Sequence, residues 1–246
     1  MKTLDELKNT VILGDCLEKM ADIPDKSIDL ILCDLPYGTT VCKWDVIIPF
    51  SKLWAQYQRI IKDNSGIVLF GNEPFSSYLR ISNISWYKYD WIWDKVKASG
   101  HLNSKFMPMQ KHENISVFGN GKIKYFPQGT TLGNFKNQRP AHGKDYKTTY
   151  GIQRDDFNDA KVGNYPKTII TFNKPNDKQR LHPTQKPINL CEYLIKTYTN
   201  ENDFILDNCA GSGTTGLAAR NLNRNYILIE KNETYYNIIL ERLKIS

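Results

Sequence analysis

No stretch of this 246-residue chain approaches 18 consecutive apolar residues, so nothing in it reads as a membrane span. Its start, Met1-Lys-Thr-Leu-Asp-Glu-Leu-Lys8, lacks the apolar core of a secretory signal. Cysteines are few, odd in number and scattered, at 16, 33, 42, 191 and 209. No Cys-x-x-Cys spacing occurs, and the four histidines show no ligand spacing. Neither a disulfide framework nor a zinc site is indicated, and no metal is implied. These absences point to a cytoplasmic protein.

What is present is unevenly placed. The length suits one large domain or a domain with an insertion, and 40% hydrophobic content suffices for a core. Net charge is +7, but residues 1–85 carry −2 and residues 187–246 carry −1. Residues 86–186 carry +10 and are rich in aromatics, glycine and asparagine. Such a segment suits contact with a phosphate backbone, and a solvated basic face is the bland alternative.

The chain reads as alternating strands and helices. Thr10–Leu13 is a short strand ending in Gly14-Asp15-Cys16, with a short helix over Leu17–Ala21. Ile28–Cys33 has five apolar residues in six, as in a buried parallel strand. It ends in Asp34-Leu35-Pro36-Tyr37-Gly38, the kind of strand end where open α/β sheets place chemistry. A polar loop, Thr39–Asp45, follows and suits the cover of a cleft. Helical spacing runs over Phe50–Lys62, a strand over Gly66–Gly71, and a helix from Pro74 to Arg80. Tyr87–Trp93 and Ile115–Phe118 read as further strands. From Gly119 to about Pro166 the periodicity fails, which marks an insertion that touches substrate. Order returns with a strand at Thr168–Phe172, a helix at Ile188–Tyr198 and a strand at Phe204–Leu206. A helix at Thr214–Leu222, a strand at Tyr226–Ile229 and a helix at Glu233–Lys244 complete the chain.

Gly211-Ser212-Gly213-Thr214-Thr215-Gly216 is a G-x-G-x-x-G between strand and helix. Glu230 lies 19 residues beyond Gly211 at the next strand end, a spacing that suits an acid on ribose hydroxyls. An NAD-dependent oxidoreductase is therefore one reading. Only 30 residues follow Gly216, too few for the units a dinucleotide domain still needs. The N-terminal half must complete the sheet, so a circularly permuted mononucleoside-binding fold is the better reading.

Several motifs occur in one order: Gly14-Asp15-Cys16, Asp34-Leu35-Pro36-Tyr37, His112-Glu113, His182-Pro183-Thr184-Gln185-Lys186-Pro187, Asp207…Gly211-Ser212-Gly213-Thr214-Thr215 and Glu230. The chain thereby resembles the β class of amino-DNA methyltransferases, which modify adenine N6 or cytosine N4. Leu35 stands where that family's signature has a proline, and Asn208-Cys209 where it has Pro-Phe. The resemblance implies a Rossmann-like methyltransferase fold, α/β, with a mostly parallel doubly wound sheet and permuted motif order. Residues 1–118 and 166–246 would form the catalytic domain, and 119–165 an inserted target-recognition region.

The resemblance also implies roles. Asp34 and the Leu35 carbonyl would accept the hydrogens of the target amine, with Pro36 stiffening the turn and Tyr37 stacking on a flipped base. S-adenosylmethionine (AdoMet) would be the methyl donor and S-adenosylhomocysteine the product. Asp15 and Cys16 would flank its adenine, and Glu230 would hold its ribose. Asp207, Ala210, Gly211, Ser212, Gly213 and Thr214, with His182, Thr184 and Lys186, would hold its methionyl part; Lys186 would meet the carboxylate. Asp34 favours adenine N6, since serine is commoner there in cytosine-N4 enzymes. No Pro-Cys dipeptide of the cytosine-C5 kind exists. Cytosine N4 and a non-catalytic DNA-binding module are the alternatives. The implied partner is double-stranded DNA in a bacterial or phage-encoded setting. The resemblance also allows a homodimer, since dimerisation is known among relatives, and a companion restriction endonuclease.

Overall fold

The structure, a computed structural model, describes residues 2–39, 45–135, 145–148, 151–154, 160–176 and 180–245. The middle part of the predicted covering loop, residues 40–44, lies outside the described residues, as does part of the predicted insertion. Contacts divide the chain into two compact units, Met1–Phe126 with Thr168–Ser246, and Pro127–Lys167.

The larger unit is built on one sheet of eight strands. In chain order these are β1 (Thr10–Leu13), β2 (Ile28–Cys33), β3 (Ile61–Gly71), β4 (Tyr87–Ser99), β5 (Gln110–Phe118), β10 (Ile169–Thr171), β11 (Phe204–Asp207) and β12 (Asn225–Glu230). They lie side by side as β1-β12-β11-β2-β3-β5-β4-β10. β5 runs antiparallel to both neighbours and every other pairing is parallel. The sheet is α/β and mostly parallel, as the sequence predicts. β11 and β2 sit together at its centre, and the chain leaves them in opposite directions, to β12 on one side and β3 on the other. Ligands of open α/β sheets bind at such a reversal, outside the carboxyl ends of the strands.

Helices cover both faces, which explains the apolar run of β2. Leu30 and Leu32 pack against α5 (Ile188–Tyr198), α6 (Thr214–Asn221) and α7 (Glu233–Leu243). Ile31 and Cys33 pack against α2 (Cys16–Met20), α3 (Phe50–Ile60) and α4 (Phe75–Ser82). A short α1 (Leu4–Leu7) opens the chain behind a Thr3–Glu6 capping box. The one acid inside β2, Asp29, is buried but ion-paired to Lys62 and Lys124 and accepts from the Phe204 amide. Among the described residues no helix is long and apolar enough to cross a membrane.

Several boundaries differ from the sequence reading, among them β3 and β5, which begin earlier, at Ile61 and Gln110. The helix predicted to reach Lys62 stops at Ile60, because Ile61 already pairs with Ile28. β4 runs six residues past Trp93 and forms a hairpin with β5. Gly119–Phe126 belongs to the larger unit: Lys124 N donates to Asn64 O and Phe126 N to Thr197 O. Among its described residues the smaller unit holds two antiparallel ribbons, β6 (Thr131–Phe135) with β9 (Ala160–Gly163) and β7 (Asp145–Thr148) with β8 (Gly151–Arg154).

Candidate active site

A cleft of about 540 Å³ opens at the carboxyl edge of the sheet. That volume lies within the range of small-molecule sites. Every residue given a catalytic or cofactor role from the sequence lines it except Gly213. Gly213 instead sits at φ 74° with its back to Ile239, where a Cβ would come within 2.9 Å of a side-chain carbon.

β2 delivers the first group. Asp34 Oδ1 accepts from the Tyr37 hydroxyl at 2.5 Å and Oδ2 accepts from Lys186 Nζ at 2.5 Å. The turn that aims them is clasped by Asp45, which accepts from Gly38 N and Thr39 N at 2.9 Å each. Gly38 lies at φ 68°, where a side chain would be strained and would press on Ile47. Tyr37 leans on Phe75, ring centres 4.9 Å apart.

Lys186 also faces Glu113 at 3.4 Å, and Glu113 faces Lys95 at 3.4 Å. The row Tyr37–Asp34–Lys186–Glu113–Lys95 therefore alternates two acids with two ammonium groups. Its members balance in charge, which is how ionised groups persist out of water. Burial pushes the Asp34 carboxyl up, and Lys186 offsets part of that rise. Burial also pushes Glu113 up, but Lys186 and Lys95 outweigh it and hold the carboxyl below the usual range. Burial pulls the Lys186 ammonium down, yet Asp34 and Glu113 hold it above the usual range. Sequence reasoning aimed Lys186 at a donor carboxylate; its ammonium stands on Asp34 and Glu113. Glu113 and Lys95 had no sequence-assigned role. Glu113 belongs to the His112-Glu113 motif that carries the resemblance, whereas the only signal for Lys95 was a charge at the end of an apolar strand.

β11 and β12 deliver the second group. Gly211 N donates to Glu230 Oε2 at 2.7 Å, and Asn232 N donates to Oε1 at 2.8 Å. Burial pushes the Glu230 carboxyl up, against these amides, which draw it down. Burial raises Asp207 to about 6, although it accepts from Cys209 N at 3.1 Å. Arg242 ties the loop by donating to Ser212 O at 2.8 Å and Thr214 Oγ1 at 3.1 Å. Asn208, which departs from the family pattern, is buried and accepts from Tyr57 Oη at 2.6 Å. That bond crosses from the loop to α3, a contact that sequence reasoning missed.

His182 and Asp15 flank the cleft. The His182 ring lies 4.3 Å from Tyr235, and burial followed by Lys186 lowers its pKa to about 4, so it is neutral at pH 7. Thr184 Oγ1 lies 3.1 Å from His182 Nδ1. Asp15 caps α2 through Leu17 N at 3.0 Å and pairs with Lys231 at 3.1 Å. Cys16 is buried at the start of the same helix. Among the described residues no group of His, Cys, Asp and Glu is placed to hold a metal ion.

The sequence model of the N6 and N4 DNA methylase family matches residues 28–241. The type II methyltransferase M.HindIII of Haemophilus influenzae is 39% identical over 298 aligned residues, covering 95% of this chain and 94% of the relative. Among solved structures, the M1.HpyAVI–SAM complex superposes with a TM-score of 0.66 at 24% identity, covering 96% of this chain and 99% of that one. The PvuII DNA methyltransferase, cytosine-N4-specific, also superposes at 0.66, with 15% identity, covering 95% and 85%.

Proposed function

This chain belongs to the N6/N4 DNA methylase family and is a DNA methyltransferase; on that premise we propose that it moves a methyl group from AdoMet to the exocyclic N6 of an adenine flipped out of duplex DNA. The observation that carries the reading is Asp34. It is an acid at the central strand end, half-buried in the cleft, with one oxygen held by Lys186 and the other by a replaceable phenol.

The residues fit the donor. Glu230 at the end of β12 suits two ribose hydroxyls, and the 207–214 turn beside it offers backbone groups to the methionyl part. Asp15 and Cys16 also line the cleft, suited to the adenine. When bound, AdoMet supplies a methyl group on a cationic sulfur.

The chain's own part is to make a poor nucleophile attack. An exocyclic amine is weak because its lone pair is delocalised into the ring. Asp34 Oδ1 and the Leu35 carbonyl accept its two hydrogens, localise that pair and aim it. Lys186 fixes the carboxylate through Oδ2. The arriving amine takes the place of the Tyr37 hydroxyl on Oδ1, and the freed ring stacks on the base. The N–C bond would form as the methyl's bond to the cationic sulfur breaks, the electron pair staying on the sulfur, and the nitrogen passes one proton to Asp34 Oδ1. Fixed dipoles and proximity supply the acceleration, with no covalent enzyme intermediate.

Asp34 supports adenine over cytosine, because serine at this position is commoner in cytosine-N4 enzymes. The PvuII likeness keeps cytosine N4 as the second reading. Pro127–Lys167, in the basic middle of the chain, is proposed as the target-recognition region. The test is to incubate the protein with unmethylated plasmid DNA and methyl-labelled AdoMet, digest to nucleosides and identify the labelled one. N6-methyladenine is expected. N4-methylcytosine would change the base, and label in no nucleoside would overturn the reading.

A further inference from the structure

The hairpin between β4 and β5 rises from the same sheet edge as Asp34. Cys33 pairs with Leu69 and Leu69 with Ser116, so Asp34 stands about level with Ile115. From there β5 extends outward five residues to Gln110, roughly 16 Å at ~3.3 Å per residue. The tip, Gly100–Met109, thus stands above the cleft's edge. It is joined to the catalytic turn through the ion pairs Lys95–Glu113–Lys186–Asp34 at its base.

The tip's composition is unusual for a solvated turn. Phe106 is 88% exposed, Leu102 83% and Met107 59%. A 3₁₀ turn at His101–Asn103, with Phe106 N and Met107 N both donating to Asn103 O, shapes the tip without burying these side chains. Residues 95–112 contain four lysines and two histidines and no acid. Lys97 and Lys105 are exposed, and neither is ion-paired to a described residue. Exposed apolar clusters mark interaction surfaces, and cations around one mark an anionic partner.

We propose that this hairpin tip is a DNA wedge. Phe106 and Met107 enter the base stack beside the place the target base leaves, and Lys97 and Lys105 take flanking phosphates. The proposal rests on the reading that the acceptor base is flipped out of a duplex. Extruding a base costs stacking and pairing energy, and an inserted apolar side chain offsets that loss at the gap. The sheet-edge position favours DNA over a lipid surface, since any duplex that delivers a base to Asp34 passes this edge.

The test uses the full chain and a fluorescent duplex fragment of the plasmid that the wild type labels, titrated in the presence of S-adenosylhomocysteine at several salt concentrations. Phe106→Ser with Met107→Ser is expected to weaken binding at least about fivefold at every salt concentration, the scale of one lost stacking contact. The slope of log K against log salt stays unchanged in that variant. Lys97→Ser with Lys105→Ser is expected to flatten the slope by about 2, one unit per phosphate contact. Both pairs are exposed, so wild-type AdoMet affinity confirms that each variant is folded. Unchanged DNA affinity in the Phe106/Met107 variant overturns the wedge. So does wild-type binding to anionic vesicles that this variant loses while binding DNA normally. A wild type that labels no nucleoside overturns the parent reading, whereas an active wild type with indifferent variants overturns the wedge alone.

Discussion

Asp34 and Glu230 are both acids at the carboxyl ends of the strands on either side of β11, and both are pushed up by burial, yet they are held by different means. Glu230 is gripped by backbone amides of Gly211 and Asn232. Asp34 is gripped by the ends of two side chains, Tyr37 and Lys186. Backbone donors cannot leave without remaking the loop, whereas a phenol can swing aside by side-chain rotation. On the proposed reading, one half of the cleft is thus a fixed receptor for a donor that arrives with its methyl group and leaves without it. The other half has exchangeable partners, as an acceptor delivered on a large polymer requires.

Breaking the acceptor half should show the largest effect. Asp34→Ala is expected to lower methyl transfer by about a hundredfold or more, with AdoMet affinity nearly unchanged. Single-turnover transfer and equilibrium binding of the donor measure the two separately. Damage to the fixed half should appear in the other observable. Glu230→Gln is expected to weaken AdoMet about tenfold, the scale of a hydrogen bond to a charged group, with kcat at saturating donor preserved. Equal losses of kcat in the two variants would erase the division between the halves.

A smaller effect sharpens the comparison. Glu113 raises Asp34 through its negative charge. Glu113→Gln removes that charge, so Asp34 ionises more readily. On the proposed mechanism transfer needs Asp34 ionised, so the acid limb of the kcat–pH profile is expected to move to lower pH, with a modest drop in kcat as Lys186 loses one anchor. An unmoved limb would mean that Glu113 supports the strand without acting on Asp34.

Much of this was legible in the sequence where one short stretch carries the whole signal. Ile28–Cys33 reads as a two-faced buried strand because both faces meet helices. The glycine turn reads because Gly211 and Gly213 occupy positive φ between a strand and a helix. The pairing of Lys186 with Asp34 could not be read, since 152 residues separate them and a lysine beside a cofactor motif suggests the cofactor. Nor could the outer half of β4: beyond Lys95 it pairs in a hairpin clear of the core, so its residues follow no burial period. The ribbons β6–β9 and β7–β8 escaped for the same reason, each having two strands and no large sheet to impose alternation.

The most direct test runs wild type and Asp34→Ala side by side on unmethylated plasmid with methyl-labelled AdoMet, followed by digestion to nucleosides and a donor-binding titration of both proteins. The expected result is labelled N6-methyladenine from the wild type alone, with AdoMet bound equally by both. Equal label in the two DNA samples, or loss of donor binding with Asp34, would contradict an acceptor half built on Asp34 and separate from the donor half built on Glu230.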